Sequence, residues 1–127
     1  MTAQSEPRKR IAVSLPAGPI VEDTVTRIRW AEDNGIPDAW FSDSGAPDTL
    51  TQVAGIAHHT REIRVGTAVT PVYTRSPSVL AASANVIEQL MPGRFVMGLG
   101  SSSQTIMGQF NGIPLDKPLS RVRETAQ

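Results

Sequence analysis

The sequence predicts an α/β fold built on a parallel sheet, with four strand–helix units in succession. Short apolar runs begin near Ile11, Ala39, Ile63 and Phe95, spaced 28, 24 and 32 residues apart. Each gap holds one segment whose apolar residues recur at helical spacing. Regular β-α spacing of this size implies parallel strands joined by right-handed crossovers. Spacing alone leaves two architectures open, a doubly wound sheet and part of a β/α barrel.

Residues 1–9 are polar, contain Pro7 and read as a loose tail. Residues 10–15 (RIAVSL) form the first strand, which stops at Pro16. Pro19 suits the first turn of a helix, where a missing N–H costs nothing, and Glu22 and Asp23 favour the positive helix start. Val21, Val25 and Ile28 make its apolar stripe, Asp23 and Arg27 an i, i+4 surface pair, and Asn34-Gly35 its end. Residues 38–43 (DAWFSD) are the second strand, and a loop over 44–47 leads to Asp48, a good N-cap. Leu50, Val53, Ala54 and Ala57 then mark the second helix. Residues 62–70 are a third strand rich in β-branched residues. Pro77 opens a third helix striped by Leu80, Ala84, Ile87 and Leu90, and Pro92-Gly93 stops it. Residues 94–100 are apolar on both faces, as a buried parallel strand should be. A Ser/Gly-rich loop over 101–115 and a helix over 116–127 follow.

The bulk numbers exclude several function classes. The 127 residues suffice for one ordinary domain, and 39% hydrophobic with 19% charged residues is enough for a core. Lys plus Arg and Asp plus Glu each number 12, and this balance gives no expectation of nucleic acid or an anionic membrane as partner. The absence of cysteine removes thiolate catalysis and iron–sulfur chemistry. No run approaches the roughly 20 apolar residues of a membrane span, and MTAQSEPRKR has no signal-peptide core. A cytoplasmic setting is the expectation.

In either α/β architecture a ligand sits at the carboxyl ends of the strands. Those ends offer Ser14-Leu15-Pro16, Asp43-Ser44, residues 67–71 and Ser101-Ser102-Ser103. Hydroxyls and backbone dominate, with one carboxylate and no basic side chain, which suits a neutral or aromatic group. Asp43 closes a strand and reads as a site residue or as a turn and cap residue. Gly98-Leu99-Gly100-Ser101 opens like a dinucleotide fingerprint, but the third glycine and an acid-ended second strand are missing. The glycines read instead as letting a backbone pass close to a ring or phosphate. His58-His59 are adjacent, so they diverge on a helix and read as a solvated helix end rather than a metal pair. No cluster has metal-ligand spacing. Arg75 reads as a pin between its loop and a carboxylate, or as a ligand contact. Glu88 reads as solvated, and Trp30, Trp40 and Phe41 as core.

A set of ordered motifs adds to this reading. Residues 31–35 (AEDNG) with 38–43 (DAWFSD) resemble A-E-x-x-G followed by D-x-x-W-x-x-D, and residues 60–69 (TREIRVGTAV) resemble T-x-x-I-x-x-G-T-x-V. Tyr73-Thr74-Arg75-Ser76-Pro77 resembles y-t-R-x-P, and residues 92–100 resemble G-R-f-x-x-G-x-G. Gly112-Ile113-Pro114 and residues 118–124 (PLSRVRE) resemble G-(v/i)-P and P-L-x-R-x-R-E. In this order, over residues 10–127, the motifs resemble the N-terminal half of the luciferase-like flavin and deazaflavin oxidoreductases. The last motifs are similar to the branch related to methylene-tetrahydromethanopterin reductase, which uses the deazaflavin coenzyme F420.

The resemblance implies a TIM-type parallel β/α barrel of which the first four strand–helix units are present, against the about 250 residues of a whole barrel. It implies a flavin-type ring at the C-terminal face and a non-prolyl cis peptide at Ala68-Val69. The cofactor-binding residues it implies are Asp43, Ser44, Ala68, Val69, Ser101, Ser102 and Ser103; no catalytic residue follows. The implied activity is hydride transfer with coenzyme F420 and a small-molecule substrate, with an FMN-dependent monooxygenase as the alternative. Many members carry His after the strand-two Asp, where this chain has Ser44; alcohol oxidation needs a proton acceptor, so reduction or monooxygenation is favoured. Four strands leave two edges and an inner face open. The expected partner is therefore a completing C-terminal half or a second copy, a homo-oligomer. The contrasting expectation is a non-catalytic half-barrel that binds or dimerises.

Overall fold

The computed structural model describes residues 10–16, 18–44 and 47–127. The chain begins with strand β1 (Ala12–Leu15), helix α1 (Val21–Asp33), strand β2 (Asp38–Phe41) and helix α2 (Thr49–Ile56). A 3-10 turn (Ala57–His59) precedes strands β3 (Arg64–Thr67) and β4 (Thr70–Pro71), then helix α3 (Pro77–Leu90). Strands β5 (Phe95–Val96) and β6 (Leu99–Gly100), a π-helical turn (Thr105–Phe110) and helix α4 (Pro118–Thr125) complete the order. The expected tail over 1–9 lies outside the described residues.

The main sheet runs β1-β2-β3-β5, all parallel. Each strand therefore adds beside its predecessor in chain order, without the reversal that defines a doubly wound sheet. This is the strand order of a β/α barrel, and it settles the choice that spacing left open.

Register sorts the side chains onto two faces. Val13, Ala39, Val65 and Phe95 lie in one cross-strand row and pack into the hydrophobic core with Ile28, Val53, Ile56, Leu80 and Ile87 from the helices. Ser14, Trp40, Gly66 and Val96 form the next row, on the opposite face, and only Gly66 among them is buried. The helices thus cover one face, while the inner face stays partly open.

The N-terminal edge of the sheet is fastened by charge. Asp38 takes Arg10 bidentately at 2.9 Å on each oxygen and Arg64 Nε at 2.7 Å. Glu32 Oε1 accepts from the backbone N–H groups of Arg61, Glu62 and Ile63 at 2.7–2.9 Å. Arg94 reaches Thr60 Oγ1 at 3.0 Å and the carbonyl of Ile63 at 3.3 Å. The chain turning into β3 is thereby held from α1 and from the turn before β5.

Several sequence expectations change. In α1 the buried row is Thr24, Ile28 and Ala31, with Val21 exposed and Val25 half-buried. The bonds from Glu32 to the 61–63 backbone fix the rotation of α1, and Trp30, expected in the core, is left 60% exposed. Trp40 is half-buried on the inner face, whereas Phe41 is core as expected. The ion pairs among the described residues are those of Arg10, Arg64 and Arg75 with acids, so Asp23 and Arg27 form none. Glu88 is not merely solvated, because it caps the turn after α3 by accepting from Gly93 N at 2.7 Å.

The third and fourth strands are each broken in two. After Thr67 the chain leaves the main sheet, with Ala68 N donating to Phe41 O at 2.7 Å, and the Ala68-Val69 peptide is cis. It pairs again as β4 against β6. The fourth strand is half-buried throughout rather than fully buried, because no further strand flanks it among the described residues. The expected loop over 101–115 contains the π-helical turn, which buries Met107 and is capped by Ser103 Oγ accepting from Ile106 N at 3.2 Å. Among the described residues no helix is long and apolar enough to cross a membrane.

Candidate functional site

The four strand ends assemble the C-terminal edge. Beyond Thr67 the chain steps out so that Val69 lies over Gly100; a Cβ built at Gly100 would overlap the Val69 side chain, and one at Gly98 would overlap Thr67 O. A close approach that requires these glycines is made by this chain's own bulge. Ala68 is exposed and Val69 is 38% exposed, which presents an apolar side chain at the edge.

Ser101, Ser102 and Ser103 follow directly from β6, so the bulge and the serine loop adjoin. Ser101 Oγ donates to Ser102 O at 3.4 Å, and Ser102 sits in the left-handed region at φ +62°. Ser103 Oγ accepts from Ile106 N in the π-helical turn and keeps its O–H free to donate. Ser44 is exposed just beyond β2.

Asp43 is buried, and its carboxylate is turned to Arg75, whose Nη1 donates to Oδ2 at 2.8 Å. The second arm of the guanidinium reaches Asp48. Arg75 thus takes the first of its two expected roles, pinning its loop to a carboxylate. Burial opposes the charge on Asp48, but hydrogen bonds from Thr51 and Arg75 outweigh it and hold that carboxyl below its ordinary range. Burial likewise opposes the charge on Arg75, and its bonds to Asp48 and Asp43 more than compensate, raising it further. No bond joins Asp43 to the serine loop.

The sequence reading missed the other partners of the 73–77 loop. Tyr73 Oη donates to the Asp116 carbonyl, and the Arg121 guanidinium sits 5.9 Å from the centre of the Tyr73 ring. A cleft of about 600 Å³ lies between residues 72–77 and residues 113–125. It also missed the Asp38 cluster, although an acid and two arginines at the starts of three successive strands were a visible signal. His58 and His59 are exposed before β3, at the opposite edge from the serines. Among the described residues no group of three acids or histidines could hold a metal.

Comparison with known proteins decides the family. A profile of the luciferase-like monooxygenase family matches residues 7–127. The chain belongs to that family. A Mycobacterium tuberculosis protein assigned as a coenzyme F420-dependent oxidoreductase is 32% identical over 94 residues, 74% of this chain and 27% of that protein. The 5,10-methylenetetrahydromethanopterin reductase of Archaeoglobus fulgidus is 31% identical over 101 residues, 79% of this chain and 30% of the reductase. The structure of the coenzyme F420-dependent tetrahydromethanopterin reductase from Methanopyrus kandleri superposes with a TM-score of 0.84 at 23% identity, over 92% of this chain and 38% of that one. This luciferase-like chain therefore shares the fold of that structure and spans less than a third of the length of the two curated relatives.

Proposed function

We propose that residues 10–127 form the N-terminal half of a luciferase-like barrel that works in hydride transfer with the deazaflavin coenzyme F420. The observation that carries this reading is the edge made by Val69, Gly100 and the three serines. It is an exposed apolar platform bordered by hydroxyls and backbone, and its nearby guanidinium is already spent on Asp43 and Asp48. Such a surface fits the flat, neutral part of a deazaflavin. The coenzyme and reductase names of the relatives at 32% and 31% identity support the same choice.

Ala68 and Val69 would carry the ring, and the Ser101, Ser102 and Ser103 loop would supply hydroxyls and backbone at its rim. Asp43 and Ser44 form the neighbouring wall. When bound, the coenzyme supplies the two-electron chemistry; the chain's task is to orient it. Both histidines of this half lie at the far edge, so it brings no imidazole to the ligand edge to accept a proton from an alcohol. Reduction of a small molecule fits this edge better than alcohol oxidation. A cytoplasmic setting goes with the reading.

The half-open inner face around Ser14, Trp40 and Val96 requires cover, from a C-terminal half or a second copy. The test is a fluorescence titration of the folded, size-fractionated chain with coenzyme F420 and separately with FMN. Micromolar binding of F420 is expected. Preference for FMN would instead make it an FMN-dependent monooxygenase, and a stable dimer that ignores both would make it a non-catalytic binding module.

A further inference from the structure

Arg75 touches acids from two places in the chain, and burial ranks the two contacts. The Asp43 side chain is 1% exposed, the Arg75 side chain 15% and the Asp48 side chain 46%. Asp48 is already held as the cap of α2, accepting from Thr51 N at 2.8 Å, and an ion pair so close to solvent contributes little. Asp43 has been withdrawn from water beside the guanidinium, and a buried carboxylate stripped of its counter-charge is strongly disfavoured. The planar fork therefore matters chiefly to Asp43.

The residues just before Arg75 are tied in the other direction. Thr74 Oγ1 donates to Pro71 O at 3.2 Å, which fixes the turn after β4. Tyr73 holds the Asp116 carbonyl and carries Arg121 over its ring. Arg75 thus touches the strand-two tip and Tyr73, two residues before it, the segment after the π-helical turn, with Thr74 between them bonded to Pro71 O and to the guanidinium; the 600 Å³ cleft lies along the Tyr73 contact.

We propose that Arg75 is the positioning residue of this ligand edge. It holds Asp43 at the tip of β2 and, through the loop it shares with Tyr73, sets that acid against the wall formed by residues 113–125. The proposal deepens the coenzyme reading and rests on it for the identity of the ligand. Lysine cannot substitute fully, because a flexible ammonium is not held against Asp43 in a fixed plane as the guanidinium is.

The test uses Arg75→Met, Arg75→Lys, Asp43→Asn and the Arg75→Met/Asp43→Asn double variant, with two readouts. In ligand-free protein, Arg75→Met should speed hydrogen–deuterium exchange over residues 41–48 and 113–125 and leave β1 and α1 unchanged, with Arg75→Lys intermediate. In the fluorescence titration, Arg75→Met should bind coenzyme F420 about tenfold more weakly, and Arg75→Lys should recover part of the loss. Once Asp43→Asn is present, Arg75→Met should change the Kd no further, because the acid it positions is gone. Wild-type Kd in Arg75→Met, or additive losses in the double variant, would overturn the proposal. If the wild type binds neither coenzyme, the coenzyme reading falls, and exchange still decides positioning: unchanged rates over 41–48 and 113–125 would sink it. Should Arg75→Met not fold, Arg75→Lys with and without Asp43→Asn makes the same comparison.

Discussion

Thr67 and Gly98 hold each other through one hydroxyl: Thr67 Oγ1 donates to Gly98 O at 3.0 Å and accepts from Gly98 N at 3.0 Å. The pair bridges the last residue of β3 to the residue before β6, where the main sheet gives way to the second. Thr70 N also donates to Gly98 O at 2.7 Å, so the carbonyl keeps a partner if the hydroxyl is lost, whereas the N–H does not. Thr67→Val should therefore lower stability by about 1–3 kcal/mol, seen as a lower urea midpoint at unchanged m-value. Thr67→Ser should stay near wild type.

The acid response should come chiefly from Glu32 and Asp38, with the more exposed Asp48, also held low, adding to it. Burial pushes the Glu32 and Asp38 carboxyls up, yet hydrogen bonds from the 61–63 backbone, and from Arg10 and Arg64, outweigh it and leave both below their ordinary values of 4.5 and 3.8. The unfolded chain then takes up protons first as pH falls. Their stabilisation is complete above the ordinary values and is lost as pH drops through the lower folded ones. Urea midpoints at pH 7, 5, 4 and 3 should fall mainly below pH 5. Glu32→Gln should be less stable at pH 7 and show a shallower decline, and a slope equal to wild type would remove Glu32 from this account.

Gly66 should not tolerate a methyl group. A Cβ there would stand 2.6 Å from Trp40 Cε3 and 2.9 Å from Val96 O. Gly66→Ala should cost about 1–3 kcal/mol through overpacking and should alter the near-ultraviolet circular dichroism of Trp40. Replacing Trp40 with Leu should recover part of that cost, since the two changes share one contact.

Ser102 holds a left-handed backbone at φ +62°, a conformation that costs a residue with a Cβ about 1–2 kcal/mol. Ser102→Gly removes that cost but adds freedom to the unfolded chain, so its thermal midpoint should lie at or slightly above wild type. Ser102→Val should lower it. If the loop serves a coenzyme through its backbone, Ser102→Gly should keep the wild-type Kd; a large loss would assign the contact to the hydroxyl.

Much of the fold was legible because its signals are local. Leu80 and Ile87 share a helical face by spacing alone, Asp48 caps α2 by its own side chain, Pro77 opens α3, and Gly35 follows α1 where the periodicity ends. The rotation of α1 was not legible: a three-bond carboxylate reaching some thirty residues along the chain outweighs an apolar stripe of two valines, and Trp30 is turned outward as a result. The break in the third strand also leaves no periodic mark, since β-branched Ile63, Val65, Thr67, Val69 and Thr70 run on both sides of it.

By itself the sequence determined the strand–helix succession, the parallel sheet and the row of strand ends where Asp43, Val69 and the serines fall, because propensity, capping and period act within a few residues. The tertiary structure alone decided that the strands add in chain order, that Val69 rests on Gly100, and that Arg75 takes Asp43. Those outcomes depend on backbone approach and charge burial between segments 26 to 32 residues apart, as in Arg64 with Asp38 and Arg75 with Asp43, and neither is encoded in any local pattern.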